Sequence, residues 1–244
     1  MGTVFSIDVL DDIDPAVLDD VVAWWHHVDA TFSTYRVDSP VSRFGLGELE
    51  LADLDREVLD VFDLCEAIHA DSGGAFDIAC VPAPNGSRFD PSGLVKGWSI
   101  ERAVELLERV GARNLCINGG GDVAVRGEAA AGTPWAIGLR HPDHADRLAG
   151  VVHLSGRGAV ATSGTYERGA HIIDPATEMP TTELASVTVV GPDLTYADAY
   201  ATAVHVMGLA GLDWIAARTR YHASIITRDG EVFADAGWAS VQGW

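Results

Sequence analysis

Residues 90–127 read DPSGLVKGWSIERAVELLERVGARNLCINGGGDVAVRG, and the order of patterns in this stretch decides the fold class. Ile100, Ala103, Val104, Leu107 and Val110 recur at spacings of three and four, which predicts an amphipathic helix from about Gly97 to Val110, closed by Gly111. Two β-favouring runs, NLCIN and DVAVRG, then follow across a glycine-rich turn. No second helix intervenes. PWAIGLR, GVVHLS and GAVATS continue the series, each bounded by Gly, Pro or Asp, and are expected to form an antiparallel meander. Helices and hairpins therefore segregate along the chain, which predicts an α+β domain of mixed, largely antiparallel sheets with packed helices, and not a doubly wound sheet.

Outward from that stretch the same two periods recur. Thr3 to Leu10 reads as a strand, and Val17, Val21, Trp24, Val28 and Phe32 mark a helix of about five turns. STYRVDSPVSRF (33–44) is a polar loop, and Val58, Val61, Phe62, Cys65 and Ile68 line a second helix that stops at DSGGAFD (71–77). Downstream lie the strand SVTVV, a helix around ADAYATA, a short helix at about Leu212 to Thr219, and a terminal hairpin HASIIT/EVFAD turned by Arg-Asp-Gly. No repeat, low-complexity tract or linker divides residues 1–244, so they are read as one domain.

The chain holds 16 Lys+Arg against 36 Asp+Glu, a formal charge of −20, which argues against nucleic acid or an anionic membrane as partner. An anionic ligand would need a local positive field from a metal, backbone N–H groups or one placed Lys. Cys65, Cys80 and Cys116 lack CxxC spacing and read as buried thiols. No apolar run approaches the roughly 20 residues that span a bilayer, so the chain as given is expected to be cytoplasmic; its abrupt start on a strand leaves room for an upstream leader or lipid anchor.

Four segments carry candidate chemistry. In TYADAYATAVHVMG (195–208), Asp198 and Thr202 stand four apart on one helical face, a pair of hard oxygen donors suited to Mg²⁺ held against a pyrophosphate. Lys96 is expected at the N-terminal edge of the helix that follows DPSG, where backbone N–H groups and a full positive charge favour a phosphate. His171 in HIIDPAT is a candidate general base, with Asp174 closing the turn that follows it. The three glycines of NGGGD are expected to make a tight turn or a close approach to a ligand. No zinc spacing, Rossmann fingerprint or Walker A loop is present.

Taken together and in order, MGTVFSI, STYRVDSPVSRF, GGAFDIACVP, DPSGLVKGWSIERA, NGGGDVAVRG, AVATSGTY, HIIDPAT and SVTVVGPDLTYADAYATA resemble the ApbE family of FAD:protein FMN transferases across nearly the whole chain. The resemblance implies Mg²⁺-dependent transfer of the FMN half of FAD, as substrate, onto a Thr or Ser hydroxyl of an acceptor protein, with release of AMP. It implies metal ligation by Asp198, Thr202 and the backbone carbonyl of Gly93. It implies FAD contacts at Met1, Tyr35, Ala75, Phe76, Asp77, Asp90, Lys96 and Ile172, with His171 as the base for the acceptor hydroxyl. Two departures stand out: only twelve residues, Ile78 to Phe89, separate GAFD from DPSG, where many relatives carry a longer insertion that completes the flavin pocket, and Pro91 of DPSG has no assigned role. FAD hydrolysis to FMN and AMP, or FAD binding without turnover, are the alternatives; neither the acceptor nor the oligomeric state is legible.

Overall fold

The computed structural model describes residues 2–144, 146–164 and 172–243. Its strands are β1 (Phe5–Val9), β2 (Leu115–Gly119), β3 (Asp122–Arg126), β4 (Trp135–Arg140), β5 (Leu148–Leu154), β6 (Gly158–Gly164), β7 (Ile173–Asp174), β8 (Met179–Pro180), β9 (Leu184–Gly191), β10 (His222–Thr227), β11 (Val232–Ala234) and β12 (Gln242–Gly243). The α-helices are α1 (Ala16–Phe32), α2 (Pro40–Gly45), α3 (Arg56–Asp71), α4 (Ser92–Arg109), α5 (Leu194–Met207) and α6 (Gly211–Ala216). A seven-stranded sheet runs in the order β1-β2-β3-β6-β9-β10-β11, beside a three-stranded sheet β12-β5-β4 and the pair β7-β8. Every pairing among the described strands is antiparallel. The expected fold class is the one observed.

Side-chain alternation in the large sheet assigns each face a different cover. On one face Ile117, Ala124, Ala159, Ala161, Val187, Val189, Ala223 and Ile225 join the helices in the main core. On the other, Val123, Val125, Val160 and Val190 pack with Val152, Leu154 and Trp238 in a second core beneath the small sheet. The expected meander is interrupted for this reason. β4 and β5 leave the large sheet to cover its far face, and β6 returns to pair with β3. Strand propensity carries no information about which sheet a hairpin joins.

Three local readings are corrected. Helix α4 begins at Ser92, five residues before the expected start, because Asp90 Oδ1 accepts the Ser92 N–H at 2.9 Å and the Pro91 carbonyl accepts from Leu94 and Val95. Pro91 therefore supplies the entry to the helix, and Gly93, expected in the DPSG turn, lies within its first turn. On α1 it is Trp25 that is buried, stacked on Phe5 at 4.1 Å, whereas Trp24 is half-buried and donates its Nε1–H to the Ser99 carbonyl. Cys65 and Cys116 are buried but Cys80 is partly exposed. Burial pushes the Cys65 thiol up to about 12 and the Cys116 thiol up to about 11, so both remain protonated at neutral pH.

Helix α5 runs through the middle of the molecule and is buried nearly all round, with Ala197, Ala199, Ala201 and Ala203 allowing close approach. Its nearest neighbour is α4. A Cβ built on Gly97 would lie 2.3 Å from the Leu194 carbonyl oxygen and 2.9 Å from Asp198 Cβ, so a side chain at 97 would force the two helices apart. Close α4–α5 packing thus depends on a glycine at that crossing, and the crossing is where the candidate metal ligands lie.

Candidate functional site

Asp198 is only 5% exposed, and its Oδ2 accepts the Gly97 N–H of α4 at 3.0 Å. In a regular helix that N–H also faces the Gly93 carbonyl, whose two lone pairs leave capacity for a further partner. Thr202, one turn further along α5, shares a hydrogen bond with Ser163 of β6 at 3.3 Å. The first turn of α4 closes over it: a Cβ built on Gly93 would be 3.5 Å from Thr202 Oγ1 and 3.3 Å from the Phe76 ring. Gly93, Asp198 and Thr202, far apart in sequence, therefore meet.

Lys96 lies beside them, in the second turn of α4 and not at its edge, a further consequence of the early helix start. Its Nζ is 2.6 Å from Asp122 Oδ2 and 4.0 Å from Asp198 Oδ1. Strand register explains this. Asp122 and Arg126 share the helix-facing side of β3 with Ala124, so two charged side chains point into the layer where α4 packs. Lys96 meets the first, and Glu101 with Glu108 meets the second, at 2.6 and 3.0 Å. Glu101 also accepts the Leu194 N–H at 2.8 Å and contacts Arg157 at 3.0 Å, joining the start of α5 to α4, β3 and the β5–β6 turn. Burial raises the Glu101 carboxyl above its ordinary value, against the pull of the Arg126 guanidinium.

One cleft of about 900 Å³ gathers these groups. Its walls include Tyr35, Ala75, Phe76, Asp77, Asp90, Gly93, Lys96, Ile172, Asp198 and Thr202, ten of the twelve residues singled out from sequence. Met1 and His171 lie outside the described residues. Tyr35 is 78% exposed at the cleft mouth and so is not core packing, whereas Phe76 is 2% exposed and belongs to the main core while presenting an edge to the cleft. Phe76 is held from both sides: its N–H donates to Ser72 Oγ and its carbonyl meets His69 Nδ1, each at 3.0 Å. Asp77 and Asp90 each commit one oxygen to a local turn, accepting from Ala79 N at 2.7 Å and Ser92 N at 2.9 Å, while Asp90 Oδ2 accepts from Thr34 Oγ1 at 3.5 Å and Asp77 Oδ2 lies 3.8 Å from His69 Nδ1. The short segment 78–89 still walls the cleft, through Ile78, Val81, Pro82 and Pro84. Ile173 and Asp174 form β7, and Asp174 closes the next turn as expected, accepting from Ala176 N and Thr177 Oγ1.

Sequence reading missed Asp122, Thr162 and Ser163. NGGGD drew attention to its glycines, and these resolve as the tight turn: Gly120 and Gly121 have φ of 62° and 95° between β2 and β3, and Gly119 abuts Phe5 and Ile100. The side chain that turns inward to meet Lys96 is the acid that follows. The signal available was a charged residue in a strand that is otherwise apolar.

Among the described residues, two buried carboxylates, Asp122 and Asp198, face the Lys96 ammonium, a net charge of −1 that attracts a cation to oxygen donors suited to Mg²⁺. Among the described residues no three His, Cys, Asp or Glu side chains converge into a metal cluster. Mg²⁺ needs none, since it keeps waters and substrate phosphates in most of its positions.

Fold and cleft together define a class of protein: an α+β domain with a dinucleotide-sized cleft at the crossing of two helices. The ApbE family model matches residues 1–91 and 81–226, and the chain belongs to the ApbE family. A protein named FAD:protein FMN transferase from Rhodobacter capsulatus is 31% identical over 230 residues, covering 91% of this chain and 40% of the relative. One of the same name from Haemophilus influenzae is 26% identical over 273 residues, covering 85% of this chain and 79% of the relative. The chain thus spans less than half the length of the Rhodobacter relative and, at 46%, of its Salmonella typhimurium counterpart. Two solved structures have the same fold. ApbE from Thermotoga maritima superposes with a TM-score of 0.85 at 24% identity, covering 100% of this chain and 97% of that one. The flavin transferase ApbE from Vibrio cholerae gives 0.84 at 23%, covering 99% and 96%. Among the described residues no helix is long and apolar enough to cross a membrane.

Proposed function

We propose that this chain catalyses Mg²⁺-dependent transfer of FMN from FAD to a Thr or Ser hydroxyl of an acceptor protein, releasing AMP. The observation that carries the reading is the convergence of Asp198, Thr202, Gly93 and Lys96 on one cleft large enough for a dinucleotide. The names of the relatives support it. Bound Mg²⁺ would neutralise pyrophosphate charge from a position between Asp198, Thr202 and the Gly93 carbonyl. Lys96 then offers the phosphate a local positive charge in a chain of net charge −20. Tyr35 and Phe76 provide apolar surface for the rings, and Asp77 and Asp90 accept hydrogen bonds from base or ribitol hydroxyls. The acceptor oxygen bonds to the FMN phosphorus as the bond from that phosphorus to the AMP oxygen breaks. His171 takes the hydroxyl proton, and AMP departs with the bonding pair.

Incubation with FAD, Mg²⁺ and a flavinylation-competent acceptor is expected to give a fluorescent covalent acceptor band in a denaturing gel. Failure with several acceptors would sink the reading. AMP release without acceptor at the rate seen with acceptor would instead assign the chain as an FAD hydrolase. His171→Ala is expected to slow transfer about 10²- to 10⁴-fold, the usual contribution of a general base, while FAD binding is retained. Loss of FAD affinity in that variant would make His171 a ligand contact and not a base.

A further inference from the structure

Asp122 has no role in the reaction as described, yet it is 1% exposed and carries a charge. Its Oδ1 accepts the Thr162 N–H at 3.1 Å, and its Oδ2 faces Lys96 Nζ at 2.6 Å. The same ammonium stands 4.0 Å from Asp198 Oδ1. Lys96 is thus suspended between two buried carboxylates and drawn to the one that is not a candidate metal ligand. Attraction falls with distance, so the Asp122 charge sets that bias. Were it neutral, the nearest carboxylate among the described residues for the flexible four-carbon stem of Lys96 would be Asp198. An ammonium closing on Asp198 would cancel the charge that attracts a cation and cover an oxygen meant to ligate it.

We propose that Asp122 is a positioning residue: the counter-charge that holds Lys96 off Asp198, so that the acid is presented to the cation and the base to the phosphate as separate charges. This inference rests on the metal site of the proposed function, and the experiment separates the two. Mn²⁺, an EPR-visible substitute for Mg²⁺, is titrated into the chain without FAD, and free Mn²⁺ is measured for wild type, Asp198→Asn, Asp122→Asn, Lys96→Met and the Asp122→Asn/Lys96→Met double variant. Wild type is expected to bind and Asp198→Asn to lose binding. Asp122→Asn, which keeps an oxygen for Thr162, is expected to weaken binding at least about tenfold, a modest effect for loss of one buried charge beside a cation. Removing Lys96 as well is expected to restore affinity to within about threefold of wild type, since the competing ammonium is gone. A structural defect at Asp122 would not be rescued by deleting Lys96. Unchanged binding in Asp122→Asn, or a double variant as weak as that single one, overturns the inference alone. Absence of Asp198-dependent binding in the wild type overturns the metal site and this inference with it.

Discussion

Asp198→Ala is expected to remove most Mg²⁺-dependent transfer, lowering the rate about 10²- to 10³-fold. Loss of one preorganised charge at a transferring phosphoryl group costs roughly 3–4 kcal/mol of transition-state stabilisation. The alanine variant also removes the acceptor that Asp198 offers the Gly97 N–H. Asp198→Asn separates the two effects, because its amide oxygen still accepts from Gly97 while the charge is lost. Both variants are therefore expected to lose most activity, with the asparagine variant melting close to wild type. FAD binding measured in EDTA should survive in Asp198→Asn, since Tyr35, Phe76 and Lys96 remain. An Asp198→Asn chain that transfers flavin at the wild-type rate with Mg²⁺ would remove Asp198 from the site.

The second large effect concerns stability. Glu101→Ala is expected to destabilise the fold by about 3–5 kcal/mol, because Arg126, 5% exposed, loses its closest carboxylate and the Leu194 N–H loses its acceptor. For a domain of this size that is a fall in melting temperature of roughly 6–20 °C. The pH dependence has a definite sign. The folded chain holds the Glu101 proton more tightly than the unfolded chain, whose value is near 4.5. This carboxyl's contribution to stability therefore declines as pH rises from about 4.5 through the higher folded value. Glu101→Gln, which cannot titrate, should lose that slope while keeping an acceptor for Leu194. Equal pH slopes in the two proteins, measured by thermal melts, would show that Glu101 does not titrate in the fold.

Both predictions concern residues that differ in how legible they were. Asp198 and Thr202 stood out through their spacing of four and through HIIDP and DPSG before them. Glu101 and Asp122 did not, because in one dimension an acid inside ERAVELL is a solvated helix residue and an acid after three glycines is a turn residue. Their burial follows from β3 sitting between β2 and β6 with Asp122 and Arg126 turned toward α4. Strand alternation was readable, but which face α4 would cover was not. The same limit misplaced β4 and β5, whose propensity was read well and whose sheet was not. Gly97 shows a related limit: expected at the helix start, it lies in the second turn of α4, where the close approach of α5 leaves no room for a side chain.

Periodicity and local punctuation, read from sequence alone, determined the α+β class and most helices and strands, since these depend on neighbours a few positions away. The meeting of ten residues in one cleft was legible only through the resemblance of ordered motifs to the ApbE family. Tertiary structure alone decided the partners of each charge: that Lys96 faces Asp122 before Asp198, that Glu101 ties α5 to α4, and that Tyr35 stands open while Phe76 is enclosed. Coulombic pairing and desolvation depend on distances across elements remote in the chain, and those distances exist only once the helices and the sheet have packed.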